Sequence, residues 1–327
     1  LQNNNSNFNQ LVYIKNKDYE VEADNISYSD KLIQFTGPTI IKNSKLTING
    51  FNGYIENNNI LEFNAGVVVQ FEDKKIQSQY LKRHLNQDKS DFQHNIKIQI
   101  DEQTYIYGEK MTHLNNTFEI TKDCSIELID QKDTITITGN SIYIDDNDKK
   151  INIINKVTIT GEKLKGKCEF MIFESNYNNI NMETQPVLWF NQVQLTGEKI
   201  TLYRVNNILD SIYIPKKPFI ISPKDSITYY DQIKGRELEG KFENNNLKNI
   251  SFHGNSEMKY FEHNINKTNN ISLNYIKSSS INLIFQNQQI KQVIFTDDIE
   301  SNYIDIKQNT ASQEDLLYLQ GFKLEKK

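Results

Sequence analysis

A strand–turn–strand unit recurs along this chain and limits the folds that it can adopt. In each copy an alternating apolar run leads into a turn rich in Asn and Asp, and a second apolar run follows. The copies occupy residues 53–63, 107–120, 138–153, 165–182, 196–214, 234–252 and 278–295. In the last four copies the first apolar residue after the turn is Ile180, Ile208, Leu247 and Ile290, at intervals of 28, 39 and 43 residues. Such intervals are typical of repeat architectures, in which each unit buries its apolar face against its neighbours.

Strict alternation of apolar and polar residues identifies the runs as β-strands. It is clearest in residues 45–49, 96–100, 134–138 and 156–160. Because successive side chains on a strand point to opposite faces, each run has one apolar and one polar face. This pattern favours an antiparallel sheet with one solvated face. The sequence therefore predicts an elongated all-β protein built of stacked strand–turn–strand rungs.

Helical patterns are scarce. Residues 312–321 place Ser312 before an acidic stretch and Gly321 after a short apolar run, which predicts an N-capped helical turn. We expect this turn to cover the strand edge at residues 293–295. The apolar spacing in residues 76–87 also fits a helix.

Prolines mark the one internal boundary that the sequence suggests. Pro215, Pro218 and Pro223 lie close together, and proline cannot donate to a sheet ladder. One irregular rung inside a continuous sheet explains them equally well. The predicted divisions are a disordered N-terminus over residues 1–10, a β-domain over 11–215, continuing repeats over 216–310 that could form a second domain, and a C-terminal helical turn and tail over 311–327.

Charge and motifs argue against several function classes. The net charge of −5 provides no global basic field that would attract nucleic acid. The sequence has no Gly-rich phosphate loop and no apolar run of about 18 residues that could span a membrane. The histidines lie apart from other metal ligands, so neither a metal nor a cofactor is predicted. The acidic residues 145–148 lack the Gly and the distal Glu of a calcium loop and indicate a solvated turn.

The two cysteines, Cys124 and Cys168, lie in predicted strands of different units. They lack metal-ligand spacing and have no neighbouring histidine. We interpret them as free buried thiols, with a disulfide as the alternative in an oxidising compartment.

Residues 19–59 resemble the opening of an LptA/OstA domain, in which an Ala-Asp-x-Ile-x-Tyr strand precedes a series of rungs. The matching residues are Ala23, Asp24, Ile26 and Tyr28. Further stretches resemble parts of the larger OstA-like proteins: residues 186–214, 233–261 and 265–295, and the closing LQGFKLE at 319–325. The resemblance covers about residues 11–325, and the order and spacing of many weak motifs carry it.

This resemblance implies a V-shaped antiparallel β-jellyroll that holds lipopolysaccharide acyl chains in the apolar groove between its two halves. It implies no catalytic residues, a periplasmic location in a Gram-negative bacterium with the signal peptide already removed, and a role in outer-membrane biogenesis. Domains of this family stack head-to-tail into a bridge between an inner-membrane anchor and an outer-membrane translocon. The expected partners are therefore lipopolysaccharide, further copies of the chain, and those two membrane components.

Two sets of site residues follow from this interpretation. The inward positions of the alternating strands form the expected lipid groove, although each could equally pack a dry core. They are Leu46, Ile48, Val67, Val69, Ile135, Ile137, Ile142, Ile144, Ile153, Val157 and Ile159. The first strand contains Leu11, Val12, Tyr13 and Ile14, is apolar and lacks proline, so we expect it to be an adhesive edge to which another strand adds.

The main alternative function is a structural or adhesive β-solenoid whose closed interior is filled by side chains. A polysaccharide lyase is a weaker alternative, because sugar cleavage needs paired carboxylates or a Lys, Arg and Tyr cluster in a cleft. Rungs of variable length and interspersed small residues, such as Ala65, Gly66, Ser141 and Ser251, favour an open groove over a filled solenoid.

Overall fold

Antiparallel β-structure makes up most of the described part of the chain, as the alternation predicted. The structure is a computed structural model, and it describes residues 6–15, 19–71, 73–129, 134–174, 178–206, 208–224, 229–243, 246–263, 271–286, 289–306 and 314–327. Within these residues there are 27 strands and one four-residue helix. The chain divides into two compact units, a first unit Leu1–Ile154 and a second unit Asn155–Lys327.

Both units contain long and short strands. The first unit contains β1 (Ser6–Lys15), β2 (Glu20–Ser29), β3 (Leu32–Lys42), β4 (Thr47–Glu56), β5 (Ile60–Gln70), β6 (Lys75–Ser78), β7 (Tyr80–His84), β8 (Lys89–Gln99), β9 (Thr104–Leu114), β10 (Thr117–Thr121), β11 (Ser125–Ile129), β12 (Thr134–Thr138) and β13 (Ser141–Asp145). The next strand, β14 (Lys150–Thr160), crosses the division between the units. The second unit contains β15 (Leu164–Glu174), β16 (Asn179–Glu183), β17 (Val187–Phe190), β18 (Val193–Thr196), β19 (Lys199–Val205), β20 (Ile208–Ile214), β21 (Phe219–Pro223), β22 (Tyr230–Lys234), β23 (Glu237–Glu243), β24 (Asn246–His263), β25 (Ile271–Gln286), β26 (Gln289–Thr296), β27 (Glu300–Ile306) and α1 (Glu314–Leu317).

Each long strand of the first unit is shared by two half-sheets. Strand β5 pairs with β7 through residues 60–63 and with β6 through residues 67–70. Strand β9 pairs in the same way with β11 through residues 104–107 and with β10 through residues 110–114. We name the side that contains β6, β11 and β12 half-sheet A, and the side that contains β7, β10 and β13 half-sheet B.

Bends in the middle of the long strands separate the half-sheets. The register between β3 and β4 shifts between Phe35 and Pro38, and at this bend Gly37 and Asn52 have positive φ angles of 96° and 55°. The N–H of Gly37 donates to Oδ1 of Asn52 at 2.9 Å, which joins the bends of two strands. Gly and Asn tolerate left-handed φ, so their placement within a strand determines where it crosses from one half-sheet to the other.

Alternate residues of both half-sheets form the core of the first unit. In β5, the residues Leu61, Phe63, Val67 and Val69 are buried, while those between them are exposed or half-buried. The ring of Phe63 lies against Gly53, where an added Cβ would come within 2.5 Å of it. Glycine is therefore needed at this position because a ring packs directly on the backbone.

The second unit has the same design. Strand β15 pairs with β17 through residues 164–167 and with β16 through residues 170–174. Strand β25 pairs with β27 through residues 271–277 and with β26 through residues 280–286. Half-sheet C contains β17, β18, β21, β22, β27 and the adjoining parts of β24 and β25, and half-sheet D contains β16, β19, β20, β23, β26 and the remaining parts of β24 and β25.

Three expectations about the elements are wrong. Residues 6–10 are not disordered but belong to β1, where Phe8 lies opposite Ile26; residues 1–5 lie outside the described part. Residues 76–87 form parts of two strands, β6 and β7, and a turn at 85–87 rather than a helix. The C-terminal turn does not cover residues 293–295, because Leu317 packs against Phe261, Leu273 and Ile306 of half-sheet C. Helix α1 is the expected helical turn, although its proposed cap Ser312 lies outside the described residues.

The boundary expected between residues 215 and 216 lies inside the second unit. Pro215 and Pro218 lie in the connection between β20 and β21, and Pro223 ends β21. Strand β20 pairs within half-sheet D and β21 within half-sheet C. The prolines therefore accompany a crossing between half-sheets within one unit.

Candidate functional site

Almost all residues of the expected lipid groove are inward-facing. They are buried except for Ile135, which is half-buried. Their outward neighbour Thr158 is exposed and Thr136 is half-buried. The alternation of the sequence therefore identified the inner face of these strands correctly.

The structure distributes these residues over several surfaces. Ile48 lies opposite Val69 in half-sheet A, and Ile142 lies opposite Ile153 in half-sheet B. The members of half-sheet A are Ile48, Val67, Val69, Ile135 and Ile137, and those of half-sheet B are Ile142, Ile144 and Ile153; Leu46 directly precedes β4. Val157 and Ile159 belong to the second unit.

Ion pairs close the edge between half-sheets A and B. Lys74, in the turn between β5 and β6, places its Nζ 2.8 Å from Oδ1 of Asp73. The same Nζ lies 2.8 Å from Oδ2 of Asp146, in the turn between β13 and β14. Lys149 of that turn lies 2.7 Å from Oδ2 of Asp73. These four residues, which we name the clasp, join turns that end different half-sheets.

Aromatic rings adjoin the clasp. The rings of His113 and Phe118 stack with centroids 4.4 Å apart, and Phe71 meets Phe118 edge-on at 5.8 Å. Lys74 Nζ lies 5.5 Å from the centre of the Phe118 ring. Burial raises the pKa of the Asp73 carboxyl, but hydrogen bonds from Lys149 and Lys74 outweigh it and lower this pKa to about 2. The Asp73 carboxyl is therefore ionised at neutral pH, and the ion pairs of the clasp hold this edge of the first unit shut.

An open groove lies in the second unit. Its volume is about 1130 Å³, slightly above the range of roughly 300–1,000 Å³ that is usual for small-molecule sites. Apolar walls come from both half-sheets: Val193, Met258 and Ile276 from half-sheet C, and Phe285, Ile290, Val293 and Phe295 from half-sheet D. We call this site the open groove.

The register of three strands brings these walls together. Met258 of β24 lies opposite Ile276 of β25, and Phe285 of β25 lies opposite Ile290 of β26. Strand β25 supplies both walls because it passes from half-sheet C into half-sheet D. The sequence pattern did not indicate this groove, because β25 is apolar on both faces, with Leu273 on one and Ile276 on the other, and its alternation does not show which face points inward.

Charged and hydroxyl groups line the rim of the open groove, and they include the acidic Asp231 and Glu262 as well as two lysines. Lys224 donates from Nζ to the Tyr260 hydroxyl at 3.1 Å and lies 3.8 Å from Oδ2 of Asp231. Burial raises the pKa of Asp231 to about 6, although the N–H of Phe261 donates to its Oδ1 at 2.9 Å and acts in the opposite direction. Lys291 supplies a second, exposed cation. Apolar walls below a rim with two lysines suit an amphiphile that carries an anionic group.

The expected adhesive edge belongs to β1. Val12 lies opposite Ala23 of β2, and Ile14 lies opposite Val21. The outer side chains are open to solvent, with Leu11 70% and Tyr13 59% exposed. Within the described residues, β1 pairs with β2 through residues 6–9 and 12–15.

Other predicted features have mixed outcomes. Cys124 and Cys168 are free and buried, as expected. The acidic residues 145–148 are not simply solvated, because Asp146 joins the clasp. Within the described ranges no group of His, Cys, Asp and Glu could hold a metal ion. No helix in the described part of the chain is long and apolar enough to cross a membrane.

Comparison with known proteins gives a similarity to a solved structure. No family model and no curated protein matches the sequence. Among solved structures, the chain is similar to LptH, the LptA-homologous periplasmic component of the lipopolysaccharide transport device from Pseudomonas aeruginosa. The similarity covers 34% of this chain and 82% of LptH, with 12% identity and a TM-score of 0.31.

Proposed function

We propose that this protein binds lipopolysaccharide in the periplasm of a Gram-negative bacterium and carries it towards the outer membrane. The acyl chains lie between the apolar walls of the open groove, and the anionic part of the lipid lies near Lys224 and Lys291. The protein transports its ligand without altering it, so we assign it no catalytic residues. This proposal combines the LptA/OstA resemblance of the sequence with the geometry of the second unit.

The open groove is the observation that carries this proposal. Burial of an acyl chain releases about 0.8 kcal/mol for each CH₂ group removed from water. Walls such as Met258, Ile276, Phe285 and Phe295 provide the apolar surface for this burial. Several buried methylene groups per chain are enough for binding that is tight and still reversible.

The residues expected to form a groove in the first unit are not the first lipid contacts in this proposal. They are already buried, and the clasp closes the neighbouring edge. Lipid therefore binds first in the second unit, and the interior of the first unit receives it only when the clasp opens. Leu46, Ile48, Val67, Val69, Ile137 and their buried partners remain candidate acyl-chain contacts on this basis.

Bridging requires contacts at the ends of the chain. In this proposal β1 adds to a strand of another copy, or to the inner-membrane anchor or outer-membrane translocon. An unpaired strand edge with apolar side chains provides the hydrogen-bonding groups for such addition. The exposed side chains of Leu11 and Tyr13 support this assignment.

A structural or adhesive β-solenoid is the second candidate. The buried inner face and the clasp of the first unit favour it, because they describe an interior filled by side chains. The two candidates differ in the second unit, where a purely structural protein has no use for an open apolar groove with a charged rim.

Photo-crosslinking tests the proposal directly. A photoreactive residue is placed at Phe295 in the groove wall or at its neighbour Ile294, which is 38% exposed. The same is done at Ile137 and at outward-facing Thr136 in the first unit. After exposure to lipopolysaccharide, Phe295 should crosslink strongly and Ile294 weakly. Equal crosslinking at both would reject the groove, and absence of lipid from protein purified out of a Gram-negative host, judged by mass spectrometry, would favour the solenoid.

A further inference from the structure

The C-terminal segment 314–327 lies across the outer face of half-sheet C, the face opposite the open groove. It consists of α1, a turn at residues 320 and 321, and a final stretch without regular secondary structure. We name this segment the strap. The side chains that it packs against lie within the second unit.

The surface under the strap is a single row of cross-strand neighbours. Each member lies directly opposite the next across adjacent strands of half-sheet C. The row is Trp189, Gln194, Ile221, Gln232, Lys259 and Tyr275. We name this row the track. It runs perpendicular to the strands, because directly opposed residues follow one another across a sheet.

Two glutamines of the track bind the main chain of the strap in the same way. Gln232 donates from Nε2 to the carbonyl of Leu317 at 2.9 Å and accepts at Oε1 from the N–H of Leu319 at 2.8 Å. Gln194 donates to the carbonyl of Lys323 at 2.8 Å and accepts from the N–H of Glu325 at 2.8 Å. In both cases one amide side chain joins the C=O of one residue to the N–H two residues later.

Lys259 makes a third main-chain contact. Its Nζ donates to the carbonyls of Asp315, Leu316 and Tyr318 at 2.8 to 2.9 Å. These carbonyls lie at the end of α1, where helix carbonyls lack partners within the helix and attract cations. Lys259, Gln194 and Gln232 are each at most 5% exposed. The track therefore recognises the backbone at three places along the strap.

Side chains of the strap fix its position on the track. Leu319 packs with Phe219 and Ile221, while Leu317 packs against Phe261 and Leu273. At the far end Glu325 lies 2.9 Å from Nζ of Lys167. The track thus selects a simple sequence pattern. It consists of two apolar residues at positions i and i+2, here Leu317 and Leu319, and an acidic residue at i+8, here Glu325.

The location of the track makes the strap replaceable. Its polar groups lie on an outer face, so water can take over the hydrogen bonds of Gln194, Gln232 and Lys259 when the strap leaves. Exchanging such a hydrogen bond with water costs little, whereas a polar group left without a partner in a sealed core costs much more. Contacts made through main-chain groups and two apolar anchors are those of a peptide in a recognition groove.

We infer that the track is a peptide-recognition surface, that the strap is its exchangeable occupant, and that the strap of a second copy of this chain can take the same place. Each copy carries both the track and the segment that fits it, so the contacts in trans equal those in cis. Exchange of one identical element between copies is a low-cost route to association. This inference does not depend on lipid binding.

A cleavable full-length chain tests the inference. A protease site is inserted between Ile306 and Glu314, and the chain is cut after folding. The freed strap should stay bound during gel filtration, and a fluorescent peptide of residues 312–327 should replace it over time. Release of the strap upon cutting would overturn the inference, as would a strap that never exchanges with a hundredfold excess of peptide.

Variants separate recognition from folding. Gln232→Met and Gln194→Met should each weaken peptide binding by about tenfold, since each removes two hydrogen bonds. The matched control Gln77→Met, at an exposed position of β6, should leave it unchanged. If one track variant fails to fold, the other still gives the result. Equal affinity for the wild-type peptide and one with Leu317 and Leu319 changed to Asp would contradict the proposed recognition.

Intact chains test the second copy as the partner. Two uncut versions with different affinity tags are mixed at high concentration, and one tag is used to capture the other. Capture that is abolished by excess strap peptide supports the exchange between copies. Absence of capture at every concentration, or capture that the peptide leaves unchanged, would overturn this part of the inference.

Discussion

Lys74 and Asp146 lie 72 residues apart in the chain and form a 2.8 Å ion pair that joins the two half-sheets of the first unit. The lysine side chain is 2% exposed and also contacts Asp73, so its charge is offset by two carboxylates. Such a pair contributes to the fold mainly by specifying which turns meet. It thereby closes this edge of the first unit.

Replacement of Lys74 by Met should destabilise the first unit. The change leaves a partly buried carboxylate at Asp146 without its partner, and we expect a loss of about 1–3 kcal/mol in unfolding free energy. Urea denaturation followed by fluorescence measures it. The matched control Lys149→Met removes an ion pair between side chains that are about half exposed, 45% and 48%, so it should cost less than about 1 kcal/mol. Equal losses in the two variants would show that the burial of Lys74 has no special role.

The same variant should change access to the first unit. If the clasp closes this edge, Lys74→Met should increase lipid crosslinking at Ile137 relative to the wild type, while crosslinking at Phe295 in the second unit stays constant. Crosslinking at Ile137 that does not respond to the clasp would mean that lipid reaches the interior by another route, or that these residues pack a permanent core.

Asp231 should make the stability of the second unit decrease as pH rises. Burial raises its pKa from an ordinary 3.8 to about 6, so the folded protein binds this proton more tightly than the unfolded chain. Its contribution is most favourable below pH 4 and is lost as pH rises through about 6. Asp231→Asn keeps an acceptor for the Phe261 N–H without the charge. Relative to the wild type, this variant should gain up to about 3 kcal/mol between pH 4 and pH 7.

Denaturation at several pH values checks this prediction, with Asp210→Asn as the control. Hydrogen bonds from Ser211 and Lys241 lower the pKa of Asp210, so its carboxylate stabilises the folded protein more as pH rises. Asp210→Asn should therefore lose stability relative to the wild type over the range in which Asp231→Asn gains it. A difference between the wild type and Asp231→Asn that is constant over this pH range would contradict the assigned shift.

Filling the open groove should prevent lipid binding without unfolding the protein. Val293 lies in the wall contributed by β26 and is half-buried, so Val293→Trp places a large ring in the groove. Loss of room for two or three methylene groups corresponds to a decrease in affinity of about tenfold or more. Displacement of a fluorescent lipid probe by lipopolysaccharide measures it. The neighbouring exposed Ile294 gives the matched control, Ile294→Trp, which should bind normally; equal losses would place the ligand elsewhere.

Local sequence patterns predicted the strands and their faces well. Thr136 and Ile137 were assigned to opposite faces from alternation alone, and Ile137 is buried as expected. The same reasoning failed at residues 76–87, where apolar residues at helical spacing form β6 and β7. There the chain interrupts its alternation at Gln79, between buried Ser78 and buried Leu81, because each short strand pairs with a different half of β5.

The sites depend on contacts that sequence patterns do not encode. Asp146 was interpreted as part of a solvated turn because its partner Lys74 lies in another turn far away in the chain. Gln194 and Gln232 carried no signal either, since a polar residue at an outward strand position normally contacts water. Only the register of half-sheet C places both under the same C-terminal segment.

The exposed edge of β1 should mediate head-to-tail association. Successive N–H groups along a strand point to opposite edges. Tyr13→Pro and Ile14→Pro therefore remove different donors: one variant loses an N–H on the open edge, and the other loses an N–H that bonds to β2. We expect one variant to fold normally and associate less, and the other to be less stable. Tyr13→Ser is the control that removes the exposed ring and keeps the N–H. Sedimentation over a concentration series, combined with thermal denaturation, distinguishes these results. A wild-type protein that stays monomeric at the highest concentration and binds no partner through residues 11–14 would refute an adhesive edge.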